Sequence, residues 1–155
     1  MPISTVNQNS VGTPVAGTGP AFSAYASAAT SVPNGGFTKI LFDTEEFDTN
    51  NNFSSSRFQP TIAGYYQIES GVVWESAVTG VGLININKNG TQFKRGTTLT
   101  FFAGINSSSN VVALVYMNGS TDYVEIYGFQ NTGNTISTFT GSEYVFFQGV
   151  LVRAA

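Results

Sequence analysis

The chain has 155 residues and a mass of 16.5 kDa, which is one domain's worth of core. Charged residues make up only 10 %, with six Lys and Arg against nine Asp and Glu, so a basic stripe able to drive nucleic-acid binding by counterion release is missing. With no His and no Cys, serine triads, thiol nucleophiles, imidazole metal sites and disulfides are all excluded, and stability must come from packing and association.

From Met1 to Gly19 there is no charged or aromatic side chain, and Gly12, Thr13, Pro14, Gly17, Thr18 and Gly19 punctuate the run. Such a segment cannot bury itself alone and reads as an extended arm over 1–19, either a loose leader or a strap that docks elsewhere on an assembly. The start lacks a basic n-region and an apolar h-region, so no secretion signal is expected, and no later run has the length of a membrane span. Asn-x-Ser/Thr triplets at Asn52, Asn89, Asn106 and Asn118 follow from general Asn/Ser/Thr richness.

Past Gly19 the chain reads as short strands and turns, without a helical period. The segment Asp43-Thr44-Glu45-Glu46-Phe47-Asp48 is acidic. In an extended backbone Glu46 and Asp48 share one face and Asp43 and Glu45 the other, so a calcium ion bridging one pair, and a carboxylate pair hydrolysing a glycan, are weighed against an ordinary solvated acidic loop. The run Arg57-Phe58-Gln59-Pro60-Thr61-Ile62-Ala63-Gly64-Tyr65-Tyr66 marks entry into a long strand through Tyr65–Glu75. One side of that strand carries Tyr66, Ile68, Ser70, Val72 and Trp74; the other carries Tyr65, Gln67, Glu69, Gly71, Val73 and Glu75. Trp74 is in phase with the aliphatic side and is placed in the core, with a sugar-stacking platform as the alternative.

Gly82–Asn87, the turn Lys88-Asn89-Gly90 and Thr91–Arg95 predict a hairpin with Ile84 and Ile86 inward and Asn85 and Asn87 on a wet face. Asn34-Gly35 and Asn118-Gly119 carry the same tight-hairpin signature, and Lys94-Arg95 reads as a solvated pair. Val111–Met117 is apolar on both sides, and Tyr144–Val152 nearly so. A two-layer sandwich covers only one side of each strand, so a second apolar side calls for association. The strand at Asp122–Gln130 sets Val124 and Ile126 on one side and Tyr123, Tyr127 and Phe129 on the other, a candidate interface stripe.

The order Pro20-Ala21-Phe22-Ser23-Ala24-Tyr25, Ile40-Leu41-Phe42, Phe47-Asp48-Thr49-Asn50-Asn51-Asn52-Phe53, then Phe58-x-Pro60-x-x-x-Gly64-x-Tyr66 and finally Tyr144-Val145-Phe146-Phe147-Gln148-Gly149-Val150-Leu151-Val152 resembles the trimeric C1q/TNF-like domain from about Pro20 to Arg153. The resemblance implies an all-β, antiparallel two-sheet jelly-roll sandwich over 20–155 that forms a homotrimer, with aromatic side chains packed about the threefold axis. Phe22, Tyr65, Tyr123, Tyr127, Phe129 and Phe147 are the expected interface residues. The composition and the opening residues are also similar to short bacteriophage virion proteins carrying this domain. They imply a structural protein of the virion surface, a trimeric head spike, decoration or fibre knob held by the arm, whose partners are its own copies and other virion proteins. A receptor-binding fibre tip and a carbohydrate-binding module, with calcium at Asp43, Glu45, Glu46 and Asp48, are the alternatives. Neither catalysis nor a required cofactor is expected, and neither nucleic acid nor membrane insertion.

Overall fold

The computed structural model describes residues 18–75, 77 and 79–155; most of the expected arm, residues 1–17, lies outside the described residues. The described chain is all strand and turn, without a helix. Its fourteen strands are β1 (Ala21–Tyr25), β2 (Ser31–Val32), β3 (Phe37–Lys39), β4 (Thr44–Asp48), β5 (Phe53–Ser54), β6 (Arg57–Phe58), β7 (Ala63–Trp74), β8 (Val81–Lys88), β9 (Thr91–Arg95), β10 (Leu99–Thr100), β11 (Ser107–Asn118), β12 (Val124–Gln130), β13 (Ile136–Ser137) and β14 (Val145–Ala154). They form a five-stranded sheet ordered β11-β7-β14-β1-β4 and a seven-stranded sheet ordered β10-β8-β12-β6-β5, to which β3 adds on β12 and β9 on β8. A small β13-β2 ladder closes one end. The pairing is antiparallel throughout, and the two sheets face each other as a jelly-roll sandwich.

β7 is central to the five-stranded sheet, and its alternation is the one read from the sequence: Tyr66, Ile68, Ser70, Val72 and Trp74 are buried while Tyr65, Gln67 and Glu75 stand in solvent. Opposite it, Ile84 and Ile86 of β8 and Val124 and Ile126 of β12 fill the core. A knot of aromatic rings joins the layers at the other side, where Phe22 stacks on Phe58 at 4.3 Å and on Phe53 at 5.1 Å and meets Phe147 edge-on at 4.9 Å. Such ring pairs add roughly 0.5–1.5 kcal/mol each beyond the area they bury. Trp74 is wholly buried, donates Nε1 to Ser109 Oγ at 3.2 Å and stands edge-on to Phe101, which settles it as core and removes the sugar-platform alternative.

Gly64 shows why the entry to β7 needs a residue without a side chain. A Cβ there would lie 2.5 Å from the carbonyl oxygen of Arg153, where β14 shifts register between Leu151 and Arg153. Tyr66 pins the same corner, its hydroxyl donating to the Ile62 carbonyl at 2.8 Å. Burial pushes that phenol up to about 12, so it stays a neutral donor through the physiological range.

Two local expectations change. Of the three Asn-Gly pairs, only Asn89-Gly90 closes a hairpin, with φ of 52° and 78° at its two residues joining β8 to β9. Asn34-Gly35 connects β2 to β3, and Asn118-Gly119 carries the chain from the end of β11 toward β12; each pair therefore links strands of different sheets. The outer side of β8 is also not wet. Asn85 and Asn87 are buried, because β12 lays Tyr127 and Glu125 opposite them and β9 supplies Gln92, whose Oε1 accepts Asn85 Nδ2 at 3.0 Å. Alternation correctly places the polar residues outward, but it cannot see that strands on both flanks roof them over.

Candidate functional site: the two outer sheet faces

The outer face of the five-stranded sheet is apolar over much of its area. β11 presents Val112, Leu114 and Tyr116, β7 presents Tyr65, β14 presents Val150 and Val152, and β4 presents Phe47; each is between 44 and 62 % exposed. The ladder sets Tyr116 opposite Tyr65, while Leu114 and Val150 flank the exposed Gln67, so the apolar side chains lie in neighbouring rows of one face with polar residues between them. Tyr65 and Tyr116 touch, with ring centroids 5.5 Å apart. Two shallow hollows dent the face, one lined by Ala21, Phe47, Gln67, Glu69, Gln148 and Val150, the other by Tyr65, Leu114, Val152, Arg153 and Ala154 near the C-terminus. A face that carries seven exposed apolar side chains from four strands of one sheet is of the kind that associates.

The free edge of β11 is the natural rim of that surface, and it is blunted against open-ended strand addition. Thr97 N donates to the Asn110 carbonyl at 2.9 Å, and Lys88 Nζ to the Tyr116 carbonyl at 2.7 Å. Lys88 also pairs with Asp122 at 2.8 Å. Asp122 is fixed further by Asn89 Nδ2 and the Asn118 amide, and the Lys88 and Asn89 hydrogen bonds hold its carboxyl below the usual carboxylate range.

The outer face of the seven-stranded sheet has a different chemistry. Glu125, 3 % exposed, accepts Lys39 Nζ at 2.7 Å and Arg57 at 2.9 Å on one oxygen. Burial pushes its carboxyl up, but the hydrogen bonds and charges of Lys39 and Arg57 outweigh this and hold it below its ordinary value. The Arg57 guanidinium lies 3.7 Å above the Tyr123 ring, and Phe37 leans on Phe129 at 5.2 Å. Tyr127 is half buried, and desolvation, followed by the neighbouring Glu125 charge, raises its phenol.

The six expected interface residues therefore separate into three groups. Tyr65 lies on the apolar face of the five-stranded sheet. Tyr123, Tyr127 and Phe129 lie on the opposite side of the molecule, partly roofed by Arg57 and Phe37 of the same chain. Phe22 and Phe147 are in the core at 1 % and 0 % exposure, so they are withdrawn from any surface contact: both point inward from β1 and β14 into the ring knot. Phe47, Val112, Leu114, Val150 and Val152 are exposed on the same face as Tyr65. The signal for four of these five was present in the two-sided apolar strands; Phe47 was concealed within an acidic run.

The acidic segment does not gather around a point. Asp43 accepts the Ser27 amide at 2.6 Å and its hydroxyl at 2.8 Å, contacts that lower its carboxyl. Glu46 accepts Ser23 Oγ at 2.7 Å, Asp48 caps the turn by accepting the Asn50 and Phe53 amides, and Glu45 is exposed. Among the described residues no group of three carboxylates is arranged to hold a metal ion.

No protein-family model matches the sequence, and no curated protein does. Solved structures match over nearly the whole described domain. The globular domain of zebrafish complement 1qA protein is 15 % identical with a TM-score of 0.60, covering 88 % of this chain and 99 % of that one. Murine APRIL at pH 5.0 is 11 % identical with a TM-score of 0.63, covering 86 % and 98 %. Eiger TNF from S. frugiperda is 10 % identical with a TM-score of 0.60, covering 88 % and 95 %. At such identities the likeness concerns backbone architecture, and the architecture is that of the C1q/TNF-like jelly roll.

Proposed function

We propose that this chain is a structural display module: three copies close through the outer face of the five-stranded sheet into a knob on the surface of a bacteriophage particle, attached by residues 1–19. The observation that carries the reading is the apolar face itself. Val112, Leu114, Tyr116, Tyr65, Val150, Val152 and Phe47 form a surface that a lone protomer leaves in water, and burying it in a closed ring uses it without leaving an open end. The likeness to the C1q/TNF-like fold supports three as the copy number. The choice of face follows from chemistry: the opposite sheet carries a satisfied ion-pair cluster whose rings are already stacked by this chain's own Arg57 and Phe37.

The low-charge, Asn/Ser/Thr/Gly-rich composition supports placement on a virion surface as a head spike, decoration or short fibre knob. The described chain enters beside Leu151, where the Leu151 amide donates to Pro20, and ends where the Ala155 amide donates to Ala63, so both ends lie at one end of the sandwich. Attachment through residues 1–19 would leave the opposite end facing outward. The reading is not enzymatic. Light scattering should give about three times the 16.5 kDa protomer mass, and a single-protomer mass would overturn the assembly. Antibody against the domain should decorate intact particles in negative stain; bare particles would overturn the virion placement.

A further inference from the structure

The outer face of the seven-stranded sheet carries a polar row that crosses four strands. Arg95 of β9 lies opposite Asn85 of β8, Asn85 opposite Tyr127 of β12, and Tyr127 opposite Lys39 of β3. Residues directly opposite in a ladder point to the same side, so these four side chains share the face that also bears Glu125. Lys94, the other half of the basic pair, is opposite the core residue Ile86 and belongs to the other side of β9.

This face is positive on a chain whose net charge is -3. Lys39 and Arg57 share the single carboxylate of Glu125, which leaves one unit of positive charge over, and Arg95 adds a second. Arg95 is exposed and enters none of the ion pairs found among the described residues. Beneath the row, the side-chain oxygens of Asn85 and Asn87 are buried and accept no hydrogen bond among the described residues. Gln92, which holds the Asn85 amide from the edge strand, is itself exposed. The row is bordered by Phe37, which is 51 % exposed and tilted against Phe129. Desolvation, followed by the Glu125 charge, raises the Tyr127 phenol and keeps it a neutral donor.

We propose that this face is a binding site for an acidic polysaccharide, one whose successive sugars carry carboxylates. Three strand spacings separate Arg95 from Lys39, about 14 Å, so a single small anion cannot reach both, whereas a chain of acidic units can. The Arg95 guanidinium offers its fork to one carboxylate, and the positive charge left over by Lys39 and Arg57 attracts another. Sugar hydroxyls bring the donors that the Asn85 and Asn87 oxygens lack once Gln92 gives way to them, and Phe37 presents a ring to the apolar side of a sugar. A polyphosphate would satisfy the cations but bring no hydroxyl to the buried oxygens. Two units of charge are also too few for the many phosphate contacts on which nucleic-acid binding depends. The site lies opposite the face proposed for assembly and does not depend on the number of copies.

The test titrates the full chain calorimetrically with short oligogalacturonate and oligomannuronate, with their fully methyl-esterified forms, and with linear polyphosphate of matched length. At least one of the two acidic oligosaccharides should bind, and its ester should not. Arg95→Ala should weaken that binding roughly ten- to a hundredfold, the worth of one charge-assisted contact, and Arg95→Lys by less, because the charge stays while the fork is lost. Lys94→Ala removes the same charge from the other side of the strand and should change the affinity by no more than about twofold, since screened attraction alone is weak. Equal losses from Lys94→Ala and Arg95→Ala would reduce the site to diffuse attraction and overturn it. Polyphosphate bound as tightly as the acidic sugar, undiminished binding of the ester, or no binding of either oligosaccharide would overturn it as well. An Arg95→Ala chain with a lower mass in light scattering than the wild type would give the face to assembly instead. The wild-type mass is read without any ligand, so the polysaccharide site and the trimer fail separately.

Discussion

Leu114→Asp tests the choice of face most directly. Leu114 is 60 % exposed on β11, opposite Gln67, so its replacement removes little from the protomer's own core. Fully burying a leucine contributes roughly 1.5–3 kcal/mol, of which about three-fifths, roughly 1–2 kcal/mol, is still to be gained on association. Three copies make that roughly 3–6 kcal/mol, or two to four powers of ten in the association constant. The aspartate adds an uncompensated charge to a surface that loses its water, which lowers the constant further. The protomer itself should change by no more than about 0.5 kcal/mol, as surface substitutions do. Light scattering over a dilution series should show a shift from trimer to monomer, with far-UV circular dichroism unaltered. A wild-type dilution profile would refute the assignment. Tyr127→Glu, on the opposite sheet beside Glu125, is the matched control and should leave the mass unchanged; if it dissociates the copies while Leu114→Asp does not, the seven-stranded face is the interface.

Trp74→Ala should destabilise the fold by about 3–5 kcal/mol in denaturant unfolding, since it opens a cavity beside Phe101 and leaves the Ser109 hydroxyl without its donor; a loss below about 1 kcal/mol would argue against its core role. Glu125→Gln should cost about 1–3 kcal/mol, because Lys39 and Arg57 lose the carboxylate they share, and the loss should appear equally in assembled and dissociated protein; an unchanged midpoint would show that the cluster adds nothing. Folding stability should hold flat above about pH 5 and decline on acidification below it. Asp122 and Glu125 are depressed in the folded state, so their contribution is complete above their unfolded values and is lost as the pH falls through the folded ones. Urea midpoints between pH 2.5 and 7 would check this, and a midpoint that rises toward acid would contradict the sign.

The period-two pattern of Tyr65–Glu75 was enough to assign a long half-buried strand and to put Trp74 inside, because one residue's side in an extended chain fixes that of every second neighbour. The two-sided apolar runs at Val111–Met117 and Tyr144–Val152 were enough to require a second burying surface. The order of the aromatic segments carried the jelly-roll architecture. Period two, however, says which residues share a side and never which side the core lies on. Phe22 and Phe147 are as aromatic as Tyr123 and Tyr127, and only the stacking of two sheets sends the first pair inward and the second to the opposite exterior. The same limit explains Asn85 and Asn87, polar by sequence and buried by the strands that flank them. The acidic run 43–48 looked like one site in sequence because its carboxylates are adjacent; folded, Ser27, Ser23 and the Asn50–Phe53 turn draw them to different partners. Glu69 is the converse case, a single carboxylate that meets Gln148 from 79 positions away and has an apolar surface around it only after the sheet is assembled. Composition and alternation are local properties and the sequence determines them alone; which faces meet, and which charge is left on the face that is free, depends on pairings between distant strands, and those exist only in the tertiary structure.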